Sequence, residues 1–245
     1  MNMFRYLLVS AFAVLIALAP VTVLAGRGAG GGGGGAGYGG GATADTANTL
    51  KAAVGSTATP DADGFIQRWL LLEPIPVNGQ VTQNAVQATV KKDYFPGQLD
   101  VIPKDGDKLV VGDAELTWHA MDTKFYNVNL YHFGFLVGKS SGNSLFWAVT
   151  VVNCPEEMHD VRLAIGCNSA TVWWVNGQEV IGVYGDRQTV VDDGVSKRLT
   201  LKKGANIVRC ALVNNAGATD FCARFLDSSG KPITGITINA GNMAR

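Results

Sequence analysis

Val172-Trp173-Trp174-Val175-Asn176-Gly177-Gln178-Glu179-Val180 is the stretch whose reading decides the fold. β-Branched and aromatic residues run up to Asn176-Gly177, and an apolar run resumes at Val180-Ile181. Asn and Gly take positive φ at little steric cost, and a two-residue Asn-Gly turn matches the twist of an antiparallel pair. The stretch is therefore a β-hairpin. Side chains alternate across a strand, so Trp173 and Trp174 point to opposite faces. One ring enters a core; the other is either covered by a neighbouring loop or free for a ligand.

Upstream of the hairpin the chain changes character twice. Residues 1–25 read as a secretory signal peptide: Arg5 supplies a positive start, Leu7 to Ala19 is apolar apart from Ser10, and Val23-Leu24-Ala25 suits cleavage before Gly26. The run is short for a spanning helix and meets Pro20, which favours cleavage over an N-terminal anchor. No Cys follows it, which disfavours a lipoprotein. The expectation is an exported protein, secreted or held in the cell envelope. Residues 26–63 begin as nearly pure glycine and stay poor in large apolar side chains, the composition of a flexible linker. A glycine-rich phosphate cradle needs a strand before it and a helix after, and the sequence offers neither.

From Gly64 to Ile238 the composition is that of one folded domain, about 175 residues and enough for a substantial core; residues 239–245 read as a tail. Phe65 to Leu72 is an apolar strand halted at Glu73-Pro74-Ile75-Pro76. Lys108 to Val110, Leu116 to Ala120, Tyr126 to Val137, Leu145 to Val152, Val161 to Ile165, Arg198 to Leu201, Ile207 to Val213 and Phe221 to Leu226 follow as further strands between Gly-, Asn- and Asp-rich turns. No stretch shows helical periodicity. Many short strands at this spacing predict an all-β antiparallel sandwich or jelly roll.

Twenty basic against twenty acidic side chains leave no net charge, which argues against nucleic acid and an anionic membrane surface as partners. Four cysteines in an exported chain raise the question of disulfides. With Ile207 to Val213 and Phe221 to Leu226 read as a hairpin, Cys210 and Cys222 lie near-opposite, either bridged or packed side by side. Cys154 and Cys167 flank one strand. None stands at metal-ligand spacing from a His or another Cys.

Four motifs occur in order: Arg162-Leu163-Ala164-Ile165-Gly166-Cys167-Asn168, the Val172 to Gly177 hairpin, Leu199 to Asn206, and Phe221 to Pro232. Together they resemble the galactose-binding-like β-sandwich modules attached to secreted bacterial glycoside hydrolases and carbohydrate esterases. Ile66 to Pro74 is similar to the opening strand of such proteins, with Glu73 in place of the usual glycine. The resemblance implies a module that binds glycans in some members and serves as a spacer in others. Where such modules bind, an aromatic ring stacks on the sugar and polar side chains hold its hydroxyls.

On this reading Trp174, Asn176, Tyr184, Arg187 and Asp192 are the candidate glycan face, with Trp174 outward if Trp173 is buried. Arg224 reads as a structural residue at a sheet end. No catalytic residue is assigned. Gly138-Lys139-Ser140-Ser141-Gly142 fits the serine-hydrolase pattern G-x-S-x-G, but a strand follows it where that site needs a helix. His119, His132 and His159 lie on separate elements. Asp105/Asp107 and Asp192/Asp193 are turn-type carboxylates; if any cofactor is present, a structural calcium ion suits them best. The leading expectation is an exported, non-catalytic carbohydrate-binding or accessory module for plant-type polysaccharide. The alternatives are a secreted carbohydrate esterase acting on acetylated xylan, and a structural or envelope protein-interaction domain.

Overall fold

The computed structural model describes residues 22–23 and 50–241. Its strands are β1 (Thr22–Val23), β2 (Leu50–Ala52), β3 (Arg68–Leu72), β4 (Ile75–Pro76), β5 (Lys108–Val111), β6 (Ala114–Thr123), β7 (Val128–Asn129), β8 (Ser144–Cys154) and β9 (Met158–Cys167). They continue as β10 (Ala170–Val175), β11 (Gln178–Val183), β12 (Gly194–Val195), β13 (Leu199–Leu201), β14 (Gly204–Asn214), β15 (Asp220–Leu226) and β16 (Thr237–Asn239). Two short helices interrupt them, α1 (Gln83–Val90) and α2 (Leu130–Leu136). The first sheet runs β1-β11-β10-β14-β8-β3-β6-β2, and the second runs β12-β9-β15-β7. Asn176 and Gly177 both take positive φ, 50° and 80°, so β10 and β11 form the expected hairpin.

The central strands of the first sheet, β3, β8, β10 and β14, are buried on both faces. Trp69, Leu71, Phe146, Trp173, Val208 and Leu212 face the second sheet, meeting Leu163, Ile165, Phe221 and Phe225 in the main core. Trp69 and Trp173 each meet Phe221 edge-on. On the other face Leu70, Leu72, Trp147, Val149, Val172 and Trp174 form a second core with Val86 and Val90 of α1 and with Trp118. The period-two reading of the tryptophans holds, but Trp174 does not face solvent. It is 5% exposed, because the chain between β4 and β5 folds back over this face and Trp147 stacks on it at 5.6 Å.

Other expectations are corrected by non-local packing. Tyr126 to Val137 is not one strand. After Val128–Asn129 the Asn129 side chain accepts the His132 N–H at 2.8 Å and starts α2. Helix α1 escapes periodicity because its buried face has two large residues, Val86 and Val90. Strands β14 and β15 are not a hairpin: β14 pairs with β8 and β10, and β15 pairs with β9 in the other sheet. Cys210 and Cys222 are therefore not cross-strand partners, and all four cysteines are buried free thiols.

The folded unit is also longer than Gly64 to Ile238. Leu50 joins the main core and β2 pairs with β6. Arg68 forms a bidentate pair with Asp122, both bonds at 2.7 Å, and donates to the carbonyls of Val54 and Gly55. At the other end Asn239 lies in β16 and Ala240 is buried. The apolar run of the expected signal peptide and the glycine-rich stretch lie outside the described residues; of residues 1–25 Thr22 and Val23 are described, and they pair in parallel with Gly182 and Val183. Among the described residues no helix is long and apolar enough to cross a membrane.

With both rings in cores, Trp173→Ala and Trp174→Ala are each expected to cost about 3–5 kcal/mol of stability in denaturant titrations; an unchanged midpoint for Trp174→Ala would remove its structural role. Burial pushes the Cys167 and Cys222 thiols up to about 12, from an ordinary 9.0. A thiol raised in the fold stabilises it fully below the unfolded value, and that contribution is lost as pH climbs through the folded one. Stability should therefore fall between pH 9.0 and about 12, with thiolate absorbance rising near the upper value in native protein and near the lower in unfolded protein.

Candidate functional site

The cover over Trp174 leaves a cleft of about 710 Å³, lined by Val90, Lys91, Asp93 to Asp100, Trp174 and Glu179. Its outer wall is the turn after α1. Gln98, 6% exposed, organises that turn from within: its Oε1 accepts the Tyr94 N–H at 3.1 Å and its Nε2 donates to the Lys92 carbonyl at 3.0 Å. Gly97, at φ 72°, lets the chain reverse so that the N–H groups of Asp100 and Val101 reach its carbonyl. Below the wall lies an aromatic tier. Phe95 meets Trp118 and Trp147 edge-on, both at 6.2 Å, and Trp147 stacks on Trp174.

Arg209 holds the far side of the wall. It lies opposite Trp174 on β14, is 2% exposed, and donates to the carbonyls of Gln98 and Val101. No carboxylate of the described residues pairs with it at ion-pair distance. Burial lowers its pKa to about 10, with Asp100 acting against that trend. The guanidinium is thus a costly group whose work is to fasten the loop.

Two further depressions adjoin the cleft. One of about 520 Å³ shares Lys92's neighbours Asp93 and Tyr94 and runs to Ile75 and Val111. Another of about 210 Å³ shares Phe95 to Gly97 and runs to Leu109 and Trp118.

Of the five residues expected to form a glycan face, the structure brings two to this side. Trp174 lines the cleft. Tyr184 packs against the second core, and its hydroxyl accepts from Gln87 Nε2 at 2.6 Å, while the same amide donates to Glu179 at 3.1 Å. Burial raises the Tyr184 pKa. Asn176 is occupied at the hairpin, donating to Asn206 Oδ1 and accepting the Ile207 N–H, each at 2.9 Å. Arg187 pairs with Asp193, and Asp192 holds Arg224 through both carboxylate oxygens. Arg187 also accepts from Ser169 through its backbone carbonyl, which places it beyond the start of β10, at the end of that strand away from Trp174. Sequence reasoning missed Asp93, Tyr94, Gln98 and Glu179; Lys91 to Asp100 shows neither a strand period nor a motif.

Asp192 and Asp193 do not suit a calcium ion, since each faces a guanidinium. Asp105 and Asp107 accept the backbone N–H groups of Ala120 and Lys104, both at 2.7 Å. Ser140 exchanges hydrogen bonds with the Gly142 backbone in the loop from α2 to β8, without the strand-elbow-helix of a serine hydrolase. His119 pairs with Glu73 at 3.2 Å, and His159 lies between Glu157 and Thr200.

No protein-family model matches the chain, and no curated protein matches it. Among solved structures, the PA14 domain of the MpAFP antifreeze protein aligns over 76% of this chain and 96% of its own, at 13% identity and a TM-score of 0.45. A PA14 sugar-binding domain from an RTX adhesin aligns over 70% and 96%, at 12% identity and a TM-score of 0.40. A β-glucosidase from Kluyveromyces marxianus in complex with glucose aligns over 54% of this chain and 16% of its own, at 20% identity and a TM-score of 0.35. These likenesses are distant, and the chemistry rests on this chain's own side chains.

Replacing Arg209 by Met keeps its stem and removes its charge. Losing hydrogen bonds to the buried Gln98 carbonyl and the part-buried Val101 carbonyl is destabilising, while relief of the buried guanidinium opposes that loss. The net change in global stability should stay within about 2 kcal/mol, but amide hydrogen exchange across residues 97–101 should accelerate. Unchanged exchange there would show that Arg209 does not hold the wall.

Proposed function

We propose that the protein is a non-catalytic carbohydrate-binding module, with the glycan seated in the cleft between Asp93 to Asp100 and the Trp174 edge of the first sheet. The observation that carries this reading is the make-up of the cleft. Its volume of about 710 Å³ is of ligand-site size, and it sets the half-buried rings of Tyr94 and Phe95 beside the side chains of Asp93, Asp100 and Glu179. Rigid aromatic faces beside fixed polar groups are what a sugar ring requires. The adjoining depressions favour an extended chain over a single ring.

Within this reading we place the protein outside the cell or in its envelope, with plant-type polysaccharide as the ligand class and a galactose-binding-like sandwich as the subtype. The second reading, a protein-interaction domain, is favoured by one observation: Tyr131, Phe135 and Leu136 of α2 are 55%, 75% and 47% exposed.

Incubation with insoluble xylan, cellulose and mannan tests the proposal. The protein should appear in at least one pellet, and Tyr94→Ala should weaken binding by about 1–3 kcal/mol, on the scale of aromatic stacking against planar ligands, while lowering the thermal melt less than Trp174→Ala does, since Tyr94 is half-buried at the edge of the second core. Absence from every pellet would overturn the reading for these polymers. Acetate release from acetylated xylan would favour the esterase instead.

A further inference from the structure

We propose that the cleft is one end of a groove that takes a neutral polysaccharide along its length, from Glu179 past Tyr94 to a second subsite at Lys139 and Ser140. This rests on the carbohydrate reading and adds the far subsite and the length of chain bound.

Three depressions abut in a line. Asp93 and Tyr94 line both the cleft and the depression of about 520 Å³. Pro76 and Ala114 line that depression and a third, of about 240 Å³, which also meets Lys139, Ser140 and Gly142. At the near end the β10–β11 register shifts between Trp173 and Trp174, which sets Glu179 opposite Trp174 and onto the cleft wall.

Strand register measures the span. Trp174 pairs with Arg209 and Arg209 with Val149, so the near end lies two strands from β8, level with Val149. Ser144, at the start of β8, lines the far depression. Two strand spacings across, and the rise from Val149 to Ser144 along β8, give about 20 Å, room for about four sugar units. A disaccharide cannot reach both ends.

The far subsite is fastened from within, as the near wall is. The Ser144 hydroxyl reaches the carbonyls of Ser140 and Gly142, both at 3.0 Å, and Asn214 Nδ2 donates to the Ser141 carbonyl at 2.7 Å. The exposed Ser140 hydroxyl is bonded to the Gly142 backbone. Lys139 Nζ is held by Glu73 at 3.2 Å, and the other oxygen of Glu73 meets His119 at 3.2 Å. An ammonium and a hydroxyl so placed are donors for sugar hydroxyls. The Gly138 to Gly142 stretch thus has a use that needs no nucleophile. Both signs of charge recur along the lining, with Glu179, Asp93 and Asp113 set among Lys91, Lys92 and Lys139. Mixed donors and acceptors match the hydroxyls of a neutral polymer, and no stretch of one sign selects a charged one.

The test is calorimetric titration of the full chain with xylose, glucose and mannose oligomers of two to six units. For the sugar that binds, affinity should rise from the dimer to about the tetramer and then level off, as the span requires. Lys139→Met should weaken the hexamer about tenfold, from the loss of one charge-assisted hydrogen bond, and leave the dimer, seated at Tyr94, unchanged. Ser140→Ala, at an exposed position, should act in the same direction and serves should Lys139→Met melt early. Tyr94→Ala should weaken every length. Equal affinity for dimer and hexamer, a hexamer indifferent to both far-end substitutions, or tighter binding of a galacturonate hexamer would overturn this proposal and leave the carbohydrate reading standing. Failure of every oligomer to bind would overturn both.

Discussion

Two adjacent tryptophans on one central strand impose the constraint on which this structure depends. Strand β10 is hydrogen-bonded on both sides, to β11 and β14, and every one of its residues is buried. A strand so placed sends Trp173 to one face and Trp174 to the other, and neither ring can be left wet without losing its burial energy. A second sheet satisfies Trp173. For Trp174 a different cover is needed, and the long connection between β4 and β5 supplies it by laying α1 and the following turn across Trp147 and Trp174. The candidate site is the gap that this cover leaves.

The polar side chains divide by the same logic. Asn176 and Asn206 tie the hairpin to the turn before β14, and Asn206 also closes its own turn through Lys202 and Gly204. Asp227 accepts from Ser229 and Lys231 in the loop after β15, and the Ser229 hydroxyl first, with those N–H groups, holds its carboxyl below the ordinary range. These are the residues that make the resemblance to sandwich modules visible. They serve the backbone, which is why such motifs report architecture before function.

Arg187, Asp192 and Arg224 follow that pattern at the opposite end of β10. Arg187 pairs with Asp193 and Asp192 with Arg224, so the charges cancel in pairs, and Arg224 also lies over the Phe65 ring at 4.8 Å. In the cleft the balance is different. Gln98 and Arg209 spend their hydrogen bonds on loop carbonyls and a loop N–H, which leaves Asp93, Asp100 and Glu179 as groups a ligand can meet. A wall fastened from within is a preorganised surface, and preorganisation lowers the ordering cost of binding.

From its residues alone this chain determined the all-β class, most of its strands, the Asn176-Gly177 hairpin, and the opposed faces of Trp173 and Trp174. Those features follow from side-chain alternation and turn chemistry, both carried by neighbours in sequence. Tertiary structure decided what no local pattern encodes. It set β14 and β15 in different sheets, drew Leu50 into the core, placed α1 over Trp174, and slipped the register so that Glu179 faces that ring. Each of these depends on which distant segment covers which face, and a period-two pattern states only that a face must be covered.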